Sequence, residues 1–578
     1  MATQGLFLCI KIVIINIVNS DIAKIFEEIA IYFEMDDVPF KPQAYEKAAV
    51  VLETLSEDVE KIYKKEGIKG LEKLPGIGKN IAEKIIEYLK TGKIKEYEKL
   101  KKKIPVKLEE LMPVEGLGPK KIKILYKKLK IKNLKDLERA ALAHKIVPLF
   151  GFGEKTEKNI LEGIKFLKRN KGRFLLGDIL PRVRIIYEKL KNLKEVKKIS
   201  LAGSLRRMKE TIGDVDFLVV SDKPKIVMDF FVSLAGVVKV WGKGATKASV
   251  RMKDGYDMDI RVVPEKSYGS ALQYFTGSKE HNIATRKIAI DKGFKLNEYG
   301  IKKEEDVYKA LGLPYIEPEL RENTGELNNK LPKLIGYDDI LGDLHVHCDW
   351  DGGSNSIEEI AEAARKMGYQ YVGIADHTKF LRIEHGLDEK QLLQRNKEIG
   401  RINLKFKIKN LKFRVLAGCE ANILGDGTID IEDKVLAQMD FVIAGVHSQM
   451  KMSRGEMTER IIKAMRNPNV DIIAHPTGRI INRRDEYLVD VNQVLRAAKE
   501  TSTILEINAS PYRLDLKDTY IKKAKEVGVK MVINTDAHNL EQLSLMEYGI
   551  SQARRGWAEK CDIINAWPLE KFLSFLKI

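Results

Sequence analysis

The chain has 578 residues, enough for three or four domains, and it carries a formal net charge of +18. Residues 1–338 hold 66 Lys and Arg against 48 Asp and Glu, whereas residues 339–578 hold 35 of each. This distribution predicts that a polyanion binds mainly to the first part of the chain. The 44% apolar content is that of a globular protein, and four separated cysteines favour a reduced, cytoplasmic protein over a disulfide-rich secreted one.

Residues 1–19 form an N-terminal extension without an assigned role. The apolar run over residues 5–18 is interrupted by Lys11 and Asn16 and is too short to span a bilayer. It also lacks the basic start and the small-residue cleavage site of a signal peptide. An extra strand and a start codon assigned too early are the alternatives, and we expect no membrane association.

Helical periodicity begins at Ser20 and is interrupted by three glycine hairpins. The glycine pairs are Gly76 and Gly78, Gly116 and Gly118, and Gly151 and Gly153. Such glycines let backbone N–H groups approach a DNA phosphate at a helix N-terminus. One pair is commonly only a helix C-cap, so a small helical scaffold is the alternative. Three pairs, each followed by a Lys-rich helix, favour non-specific duplex binding through phosphates.

The run LAGSLRRMKETIGDVDFLVVS, over residues 201–221, ends in a predicted strand. Asp214 and Asp216 lie two residues apart, so both carboxylates point to one face of that strand. Such a pair favours Mg²⁺ shared with substrate phosphates. Upstream, Gly203, Ser204 and the next arginines offer a turn, a hydroxyl and guanidinium donors for a triphosphate. An ordinary strand with two exposed aspartates is the alternative.

Two further segments extend this pattern. A second predicted strand, DMDIRVV, offers a third carboxylate, which is either Asp259 or Asp257 on the same face. The sequence YFTGS, over residues 274–278, then precedes a helix that contains Asn282 and Arg286.

Residues 20–318 resemble a family X DNA polymerase. The run GSLRRxxxxxGDVD resembles that family's palm motif, and YFTGS with the following helix resembles its thumb motif, both without a gap. The resemblance implies two Mg²⁺ ions held by Asp214, Asp216 and Asp259, with Asp259 nearest the primer 3′-hydroxyl. The triphosphate would contact Gly203, Ser204, Arg207 and Gly213, the sugar Tyr274, Phe275 and Gly277, the base Asn282, and the template Arg286.

The helix after the first hairpin suggests another activity. The sequence LPGIGKNIAEKI resembles the segment that supplies a Schiff-base lysine in lyase-proficient animal members, at the position of Lys84. Tyr45 and Lys41 match helper positions of that activity. Asn80 and Phe40 depart from the pattern, where a lysine and a histidine are usual. Contact with a DNA phosphate is the alternative role of Lys84.

The C-terminal half begins after a polar segment, residues 319–338, that predicts an interdomain linker. Seven of the nine histidines lie between positions 345 and 538, most of them after short apolar runs that alternate with helical segments. This is the pattern of a βα barrel with ligands at the C-terminal ends of its strands. Six such histidines with Glu420 favour a polynuclear metal site over isolated hydrogen-bonding histidines.

Residues 339–578 resemble the polymerase and histidinol phosphatase (PHP) domain in the motifs DLHVH, ADH, GCE, GVHS, AHPTGR and NTDAH. The resemblance implies up to three ions, Mn²⁺ or Zn²⁺. One ion would be held by His345, His347, Glu420 and Asp536, a second by Glu420, His447 and His475, and a third by Asp351, His377 and His538. The first loop departs from the usual pattern by one residue, which leaves Asp349 as the alternative to Asp351. His385 has no counterpart and is a predicted non-ligand.

The predicted fold is a multidomain α+β polymerase core with a C-terminal distorted (β/α)₇ barrel. The core would contain a helical, 8-kDa-like DNA-binding domain over 20–95, fingers with helix-hairpin-helix motifs over 96–176, a nucleotidyltransferase palm over 177–265 and a thumb over 266–318. The PHP domain would cover 339–578.

The predicted function is a repair DNA polymerase that fills short gaps. Its substrates would be gapped or primed DNA and deoxynucleoside triphosphates, and we expect a monomer. The PHP domain would be a metal-dependent 3′→5′ exonuclease, with cleavage at abasic sites as a possible further activity. The alternatives are a small-molecule phosphatase of the histidinol-phosphate type with a DNA-binding tether, and a non-catalytic DNA-binding scaffold.

Overall fold

The computed structural model describes residues 17–576 except 56–57, 75, 113, 115–116, 170–171 and 329. Gly116 and nearly all of the predicted N-terminal extension therefore lie outside the described residues. The chain divides into two compact units. One contains the described residues up to 169 together with residues 482–484, and the other contains the remaining residues from Gly172 onward.

The first unit is helical. Its elements are α1 (Ile17–Met35), α2 (Lys41–Thr54), α3 (Val59–Glu72), α4 (Lys79–Thr91), α5 (Lys95–Lys103), α6 (Leu108–Leu111), α7 (Pro119–Leu129), α8 (Leu134–Leu142) and α9 (Glu154–Arg169). Apolar residues at helical spacing bury one face of each main helix, as Ile22, Phe26 and Ile29 do in α1. Two apolar clusters result, one among α1 to α4 and one among α1 and α6 to α9.

The second unit begins with a mixed α/β region that corresponds to the predicted palm. Its elements are β1 (Phe174–Leu175), α10 (Leu176–Lys191), β2 (Lys198–Leu201), α11 (Gly203–Arg206), β3 (Thr211–Ile212), β4 (Asp214–Val220), α12 (Pro224–Val232), β5 (Val237–Lys243), β6 (Lys247–Met252) and β7 (Asp257–Val263). The main sheet has the order β2-β4-β7-β6-β5, with β4 and β7 parallel. Alternation along β4 sends Val215, Phe217 and Val219 into the apolar core with α10 and α12, and Asp214 and Asp216 to the other face.

The next three helices correspond to the predicted thumb: α13 (Tyr268–Thr276), α14 (Lys279–Asp291) and α15 (Glu304–Ala310). The segment predicted as a linker follows, and it is packed. It begins with a 3₁₀ helix at Pro318–Leu320, and Arg321 and Glu326 are almost fully buried. The carboxylate of Glu319 accepts a hydrogen bond from Arg554 at 2.6 Å. The segment therefore connects the two regions as a folded element with its own buried ion pairs.

The remaining residues form the barrel. Its strands are β8 (Gly342–Val346), β9 (Tyr371–Ile374), β10 (Arg414–Asn422), β11 (Phe441–Gly445), β12 (Ile472–Ile473), β13 (Ile504–Asn508) and β14 (Met531–Asn534). Its helices are α16 (Ile357–Lys366), α17 (Glu389–Ile408), α18 (Asp433–Leu436), α19 (Arg454–Met465), α20 (Val491–Glu500), α21 (Asp518–Val527), α22 (Met546–Arg555) and α23 (Leu569–Leu573). Adjacent strands are parallel from β8 to β14. A bridge between Val346 and Ala537 nearly closes the sheet, which confirms the predicted (β/α)₇ barrel.

One end of the barrel is filled by apolar side chains. The ring of Phe441 occupies the space that side chains at positions 373 and 418 would need, and both positions are glycine. Tyr371 stacks on Phe572 of α23, with ring centroids 5.6 Å apart. Polar groups are therefore expected at the opposite end of the barrel, where the C-terminal ends of the strands lie.

The palm and the barrel share a continuous interface within the second unit. The apolar cluster of the palm also contains Ile481, Leu514 and Tyr548 from the barrel region. Arg184 forms a bidentate pair with Glu547, at 2.7 and 2.8 Å. Among the described residues, no helix is both long enough and apolar enough to cross a membrane.

Candidate active sites

The palm brings two of its predicted carboxylates side by side. In the parallel pair β4–β7, Asp214 lies opposite Asp257 and Asp216 lies opposite Asp259. Burial, with the neighbouring charges of Asp214 and Asp259, raises the pKa of Asp216 to about 7. Clustered carboxylates of this kind are stabilised by a bound cation, so the donor set fits the predicted divalent metals.

The surroundings of Asp257 and Asp259 distinguish these two candidates. Asp257 is paired with Arg251 at 2.6 and 2.9 Å and accepts a hydrogen bond from Trp241 at 2.8 Å. Asp259 has only Lys247 as a cationic neighbour, at 3.7 Å, among the ion pairs of the described residues. The carboxylate of Asp259 is therefore the one available beside Asp216, and its role as the third metal ligand stays a prediction.

The GS turn contacts the carboxylates directly. Gly203 has φ +58°, and a Cβ atom there would overlap the carboxylate of Asp216. The hydroxyl of Ser204 is buried and has no hydrogen-bond partner among the described residues. A buried hydroxyl without a partner is costly unless a ligand satisfies it, so Ser204 fits the predicted triphosphate contact.

The predicted triphosphate arginine is already engaged with protein groups. Arg207 donates from Nε to Glu322 at 2.9 Å and from a terminal nitrogen to the carbonyl of Thr276 at 2.7 Å. Gly213 lies at the start of the carboxylate strand beside Arg173, which itself donates to Thr211.

The YFTGS residues and the two predicted polar residues of α14 form one cluster. Asn282 donates to the carbonyl of Tyr274 at 2.6 Å, and a side chain at position 277 would collide with the Asn282 amide. The Arg286 guanidinium lies 5.7 Å from the ring centroid of Tyr274. The guanidinium of Arg261, on β7, lies 4.9 Å from the ring centroid of Phe275.

In the helical unit, Lys84 is held by a carboxylate. Its ammonium lies 2.7 Å from Glu96, which also accepts a hydrogen bond from Tyr45 at 2.7 Å and lies 3.7 Å from Lys41. Burial opposes ionisation of Glu96, but hydrogen bonds from Lys84 and Tyr45 and the Lys41 charge lower its pKa overall. The three predicted lyase residues are therefore brought together around Glu96.

The first two glycine hairpins end at helix N-termini that lack side-chain caps. Gly78 and Gly118 are the N-caps of α4 and α7, and Gly153 directly precedes α9. Side chains at positions 78, 118, 151 and 153 would meet no atom within 4 Å. Gly151 has φ +82°, which favours glycine by itself, whereas the open space at Gly78, Gly118 and Gly153 leaves room for the predicted approach of a phosphate.

At the open end of the barrel, Glu420 lies among five histidines, the most distant of which is His347, at 3.8 Å. Its Oε1 atom is 3.0 Å from His475 and 3.1 Å from His447. Its Oε2 atom is 3.0 Å from His377 and 3.3 Å from His345. A carboxylate with histidine nitrogens on both oxygens has the geometry of a bridging metal ligand.

Asp536 and the two HxH histidines form a second cluster next to Glu420. Asp536 Oδ1 is 3.3 Å from His347 Nε2 and 3.7 Å from His345 Nε2. The Nε2 atoms of both histidines are buried without a hydrogen-bond partner among the described residues. His538 stacks on His347, with ring centroids 4.1 Å apart. Unpartnered imidazole nitrogens that face carboxylates fit a metal site.

Asp351 contacts two histidines through one oxygen. Its Oδ2 atom is 2.7 Å from His347 Nδ1 and 2.9 Å from His377 Nδ1. These contacts orient both imidazoles. Direct binding of Asp351 to a metal ion stays a prediction. Asp349 is exposed, and His385 belongs to none of the metal-compatible clusters of the described residues.

Two supporting residues were not predicted from sequence. Glu506 is fully buried and lies 2.7 Å from His345 Nδ1, and it also accepts the backbone N–H of His475 at 2.7 Å. Asn422 lies 2.8 Å from His447 Nδ1. Burial lowers the pKa of His345, but Glu506, Glu420 and Asp536 outweigh it, so the net shift is upward. A glutamate inside a buried apolar strand, as in ILEIN, was the available sequence signal for Glu506.

Comparison with known proteins matches four segments to family models. Residues 17–94 match a helix-hairpin-helix domain, 108–165 a SAM-like helix-hairpin-helix tandem, 271–322 the DNA polymerase beta thumb, and 343–510 the PHP domain. These matches cover the helical unit, the thumb and most of the barrel.

Individual relatives divide into two groups. The chain is 40% identical over 575 residues to the DNA polymerase/3'-5' exonuclease PolX of Bacillus subtilis, covering 97% of this chain and 99% of that protein. It is 34% identical over 209 residues to a probable phosphatase of Thermoanaerobacter sp., covering 34% of this chain and 78% of that protein. It is 29% identical over 253 residues to a probable phosphatase of Caldicellulosiruptor bescii, covering 41% of this chain and 95% of that protein. The phosphatase matches cover only the PHP part.

Proposed function

Since the chain belongs to the family X DNA polymerases with a C-terminal PHP domain, we propose that it fills short gaps in DNA and trims 3′ ends. The observation that carries the synthetic activity is the pairing of Asp216 and Asp259 beside the Gly203–Ser204 turn. The observation that carries the nuclease is Glu420 among five histidines.

In the palm, Asp214, Asp216 and Asp259 would hold two Mg²⁺ ions. Bound there, the metal would supply Lewis-acid activation of the primer 3′-hydroxyl and neutralise the leaving pyrophosphate. Ser204 and Arg207 would bind the triphosphate of the incoming deoxynucleotide. Tyr274 and Phe275 would pack against its sugar.

The base and template contacts would come from α14. Asn282, fixed by the carbonyl of Tyr274, would contact the base of the incoming nucleotide. Arg286 would contact the template. Gly277 would allow the close approach of Asn282 to the turn, because a side chain there would collide with the amide.

In the barrel, the donor set of imidazoles and carboxylates would hold up to three Mn²⁺ or Zn²⁺ ions. Bound there, the metal would supply a hydroxide nucleophile at neutral pH and charge stabilisation for phosphodiester hydrolysis. Glu506, Asn422 and Asp351 would fix the orientations of the liganding imidazoles through their Nδ1 atoms.

Duplex DNA would be bound by the helix N-termini of α4, α7 and α9, each of which follows a glycine hairpin. Backbone N–H groups and the positive end of the helix dipole attract a phosphate without reading base sequence. The surplus of basic residues in the first 338 positions supports this assignment. Binding should therefore weaken steeply as the salt concentration rises.

The small-molecule phosphatase is the second candidate, and it explains less. The phosphatase relatives align with only 34–41% of the chain, and they leave the palm carboxylates and the glycine hairpins without a role. Comparing hydrolysis of histidinol phosphate with digestion of a 3′-tailed duplex separates the two. Faster hydrolysis of the small molecule would favour a phosphatase.

The function is tested by one time course on a 5′-labelled gapped primer, with and without deoxynucleotides, in Mg²⁺ and in Mn²⁺. We expect extension when nucleotides are present and shortening when they are absent. Asp216→Ala should abolish extension and retain shortening, whereas His345→Ala should do the reverse. Extension by Asp216→Ala would disprove the palm assignment, and loss of both activities in both variants would contradict two separate sites.

A further inference from the structure

Arg555 is the last residue of barrel helix α22, but its guanidinium contacts the palm. One terminal nitrogen donates to the main-chain carbonyl of Arg207 at 3.0 Å and lies 3.1 Å from Glu322. The other donates to Asp518 of α21 at 2.6 Å. The residue is 7% exposed. A buried guanidinium is costly unless its donors are paired, so this set of contacts defines one orientation of the side chain.

Glu322 connects Arg555 to the side chain of Arg207. The Oε1 atom that accepts from Arg555 also accepts from Nε of Arg207 at 2.9 Å. The orientation of the Arg207 guanidinium therefore depends on a carboxylate that the barrel holds. Charge-assisted hydrogen bonds of this kind are geometrically specific.

The palm segment that carries Arg207 is held by the barrel at a second point. Glu210, three residues further on, is paired with Arg479 at 2.8 Å. This segment connects the GSLRR turn to the carboxylate strand β4. The barrel thus contacts both the main chain and the side-chain partner of the residue predicted to bind the triphosphate.

A different ion pair of the same interface provides an internal comparison. Arg184 of α10 and Glu547 of α22 form a bidentate pair, so they join the same two regions. Among the hydrogen bonds of the described residues, neither Arg184 nor Glu547 contacts Arg207, Glu322 or residues 208–210. Loss of this pair should weaken the interface between the palm and the barrel without disturbing Arg207.

We propose that Arg555 is a positioning residue for the incoming nucleotide. By holding Glu322 and the main chain of residue 207, it orients the Arg207 guanidinium toward the triphosphate. The barrel then contributes to synthesis as well as to 3′-end removal. This inference rests on the proposed role of Arg207, and the experiment separates the two.

The test measures kcat and KM for the deoxynucleotide on a one-nucleotide gap, together with the rate of 3′ digestion and the melting temperature. We expect Arg555→Gln to raise KM about tenfold with little change in kcat. The substitution removes the charge-assisted contact to Glu322, which orients the Arg207 guanidinium that would bind the triphosphate. Arg555→Lys should recover part of this loss. Arg184→Gln, the matched control, should leave KM unchanged, and both variants should retain 3′ digestion.

Arg207→Ala shows whether the underlying assignment holds. If Arg207→Ala leaves KM unchanged, the proposed role of Arg207 fails. If Arg207→Ala raises KM but Arg555→Gln behaves like Arg184→Gln, only the positioning role fails. If Arg555→Gln also loses 3′ digestion, Asp518→Asn decides, because it removes only the outer partner of Arg555. A raised KM in Asp518→Asn supports the proposal, and an unchanged KM overturns it.

Discussion

Gly203 and Asp216 occupy adjoining space so tightly that any side chain at position 203 would overlap the Asp216 carboxylate. Gly203 also has φ +58°, a conformation that is strained for other residues. The glycine of the GS turn is therefore required by the carboxylate strand, thirteen positions along the chain. It permits the turn and the carboxylates to form one site.

Gly203→Ala should displace Asp216 and reduce nucleotide incorporation by at least about tenfold, because a misplacement near 1 Å is costly for catalysis. The rate of 3′ digestion should be unchanged, since the barrel site is separate. Gly242→Ala is the control, because Gly242 is an exposed palm glycine with open space at its Cβ position. Equal incorporation by the two variants would contradict the close approach seen here.

The two candidate third carboxylates should differ in their mutational effects. Asp259→Asn should lower single-nucleotide incorporation by about 10³-fold, since a metal ligand stabilises transition-state charge by several kcal/mol. Asp257→Asn should cost less than about tenfold, because it breaks only a partly exposed pair with Arg251. Rates measured under single-turnover conditions compare them, and a larger loss in Asp257→Asn would reverse the assignment.

Glu506 is expected to support the metal site through His345. Glu506→Gln should lower metal affinity or 3′ digestion by about 10- to 100-fold, because it removes the carboxylate that orients the imidazole. Polymerisation should be unaffected. Bound metal can be measured after gel filtration, and Glu526→Gln on the exposed side of α21 is the control. Full metal content with normal digestion would refute the role.

Lys84 is expected to act as a structural or phosphate-binding cation. The Lys84 Nζ atom lies 2.7 Å from the Glu96 carboxylate, so this contact would have to break before the amine could attack an aldehyde. We therefore expect borohydride to trap no covalent adduct with abasic-site DNA that depends on Lys84. An adduct that is lost in Lys84→Ala but kept in Lys79→Ala would instead establish the lyase activity.

Acid should destabilise the second unit through Glu304. Burial raises the pKa of this group, but Arg321 and Arg206 outweigh burial and hold the pKa well below its usual range. The unfolded chain therefore takes up the proton first, so the stabilisation is complete above about pH 4.3 and is lost as the pH falls below it.

Urea unfolding at pH 7 and at about pH 3 measures this dependence, because the loss occurs below about pH 4.3. Glu304→Gln should cost about 3–5 kcal/mol at pH 7, since it leaves buried arginines unpaired, and it should flatten the pH dependence. The exposed neighbour Glu305 provides the control variant Glu305→Gln. A steep acid transition that persists in Glu304→Gln would assign the effect to other groups.

Local patterns were sufficient where the relevant contacts are local. The strand alternation that places Asp214 and Asp216 on one face, and the βα repeat of the barrel, were predictable because each follows from backbone periodicity. The clustering of the barrel histidines followed from the rule that parallel strands end together. These features need no knowledge of strand register or side-chain packing.

Other features depend on residues far apart in the chain. Arg251 makes Asp257 unavailable through the register of β6 against β7, which the motif does not specify. Glu506 contacts His345 across 161 positions. The segment after Pro318 is polar, as a linker would be, but Glu319 and Glu322 accept hydrogen bonds from Arg554 and Arg207, and the segment's own Arg321 donates to Glu304 of α15. Polar composition alone does not separate a solvated segment from one with paired charges.

The apolar core shared by the palm and barrel also bears on the order of synthesis. Tyr548 leaves the ribosome after more than five hundred other residues, although it belongs to the apolar cluster around a sheet made from residues 198–263. A nascent palm would therefore expose an apolar face until α22 emerges. We therefore expect a chain that terminates before α22 to be prone to aggregation, although its palm carboxylates are intact.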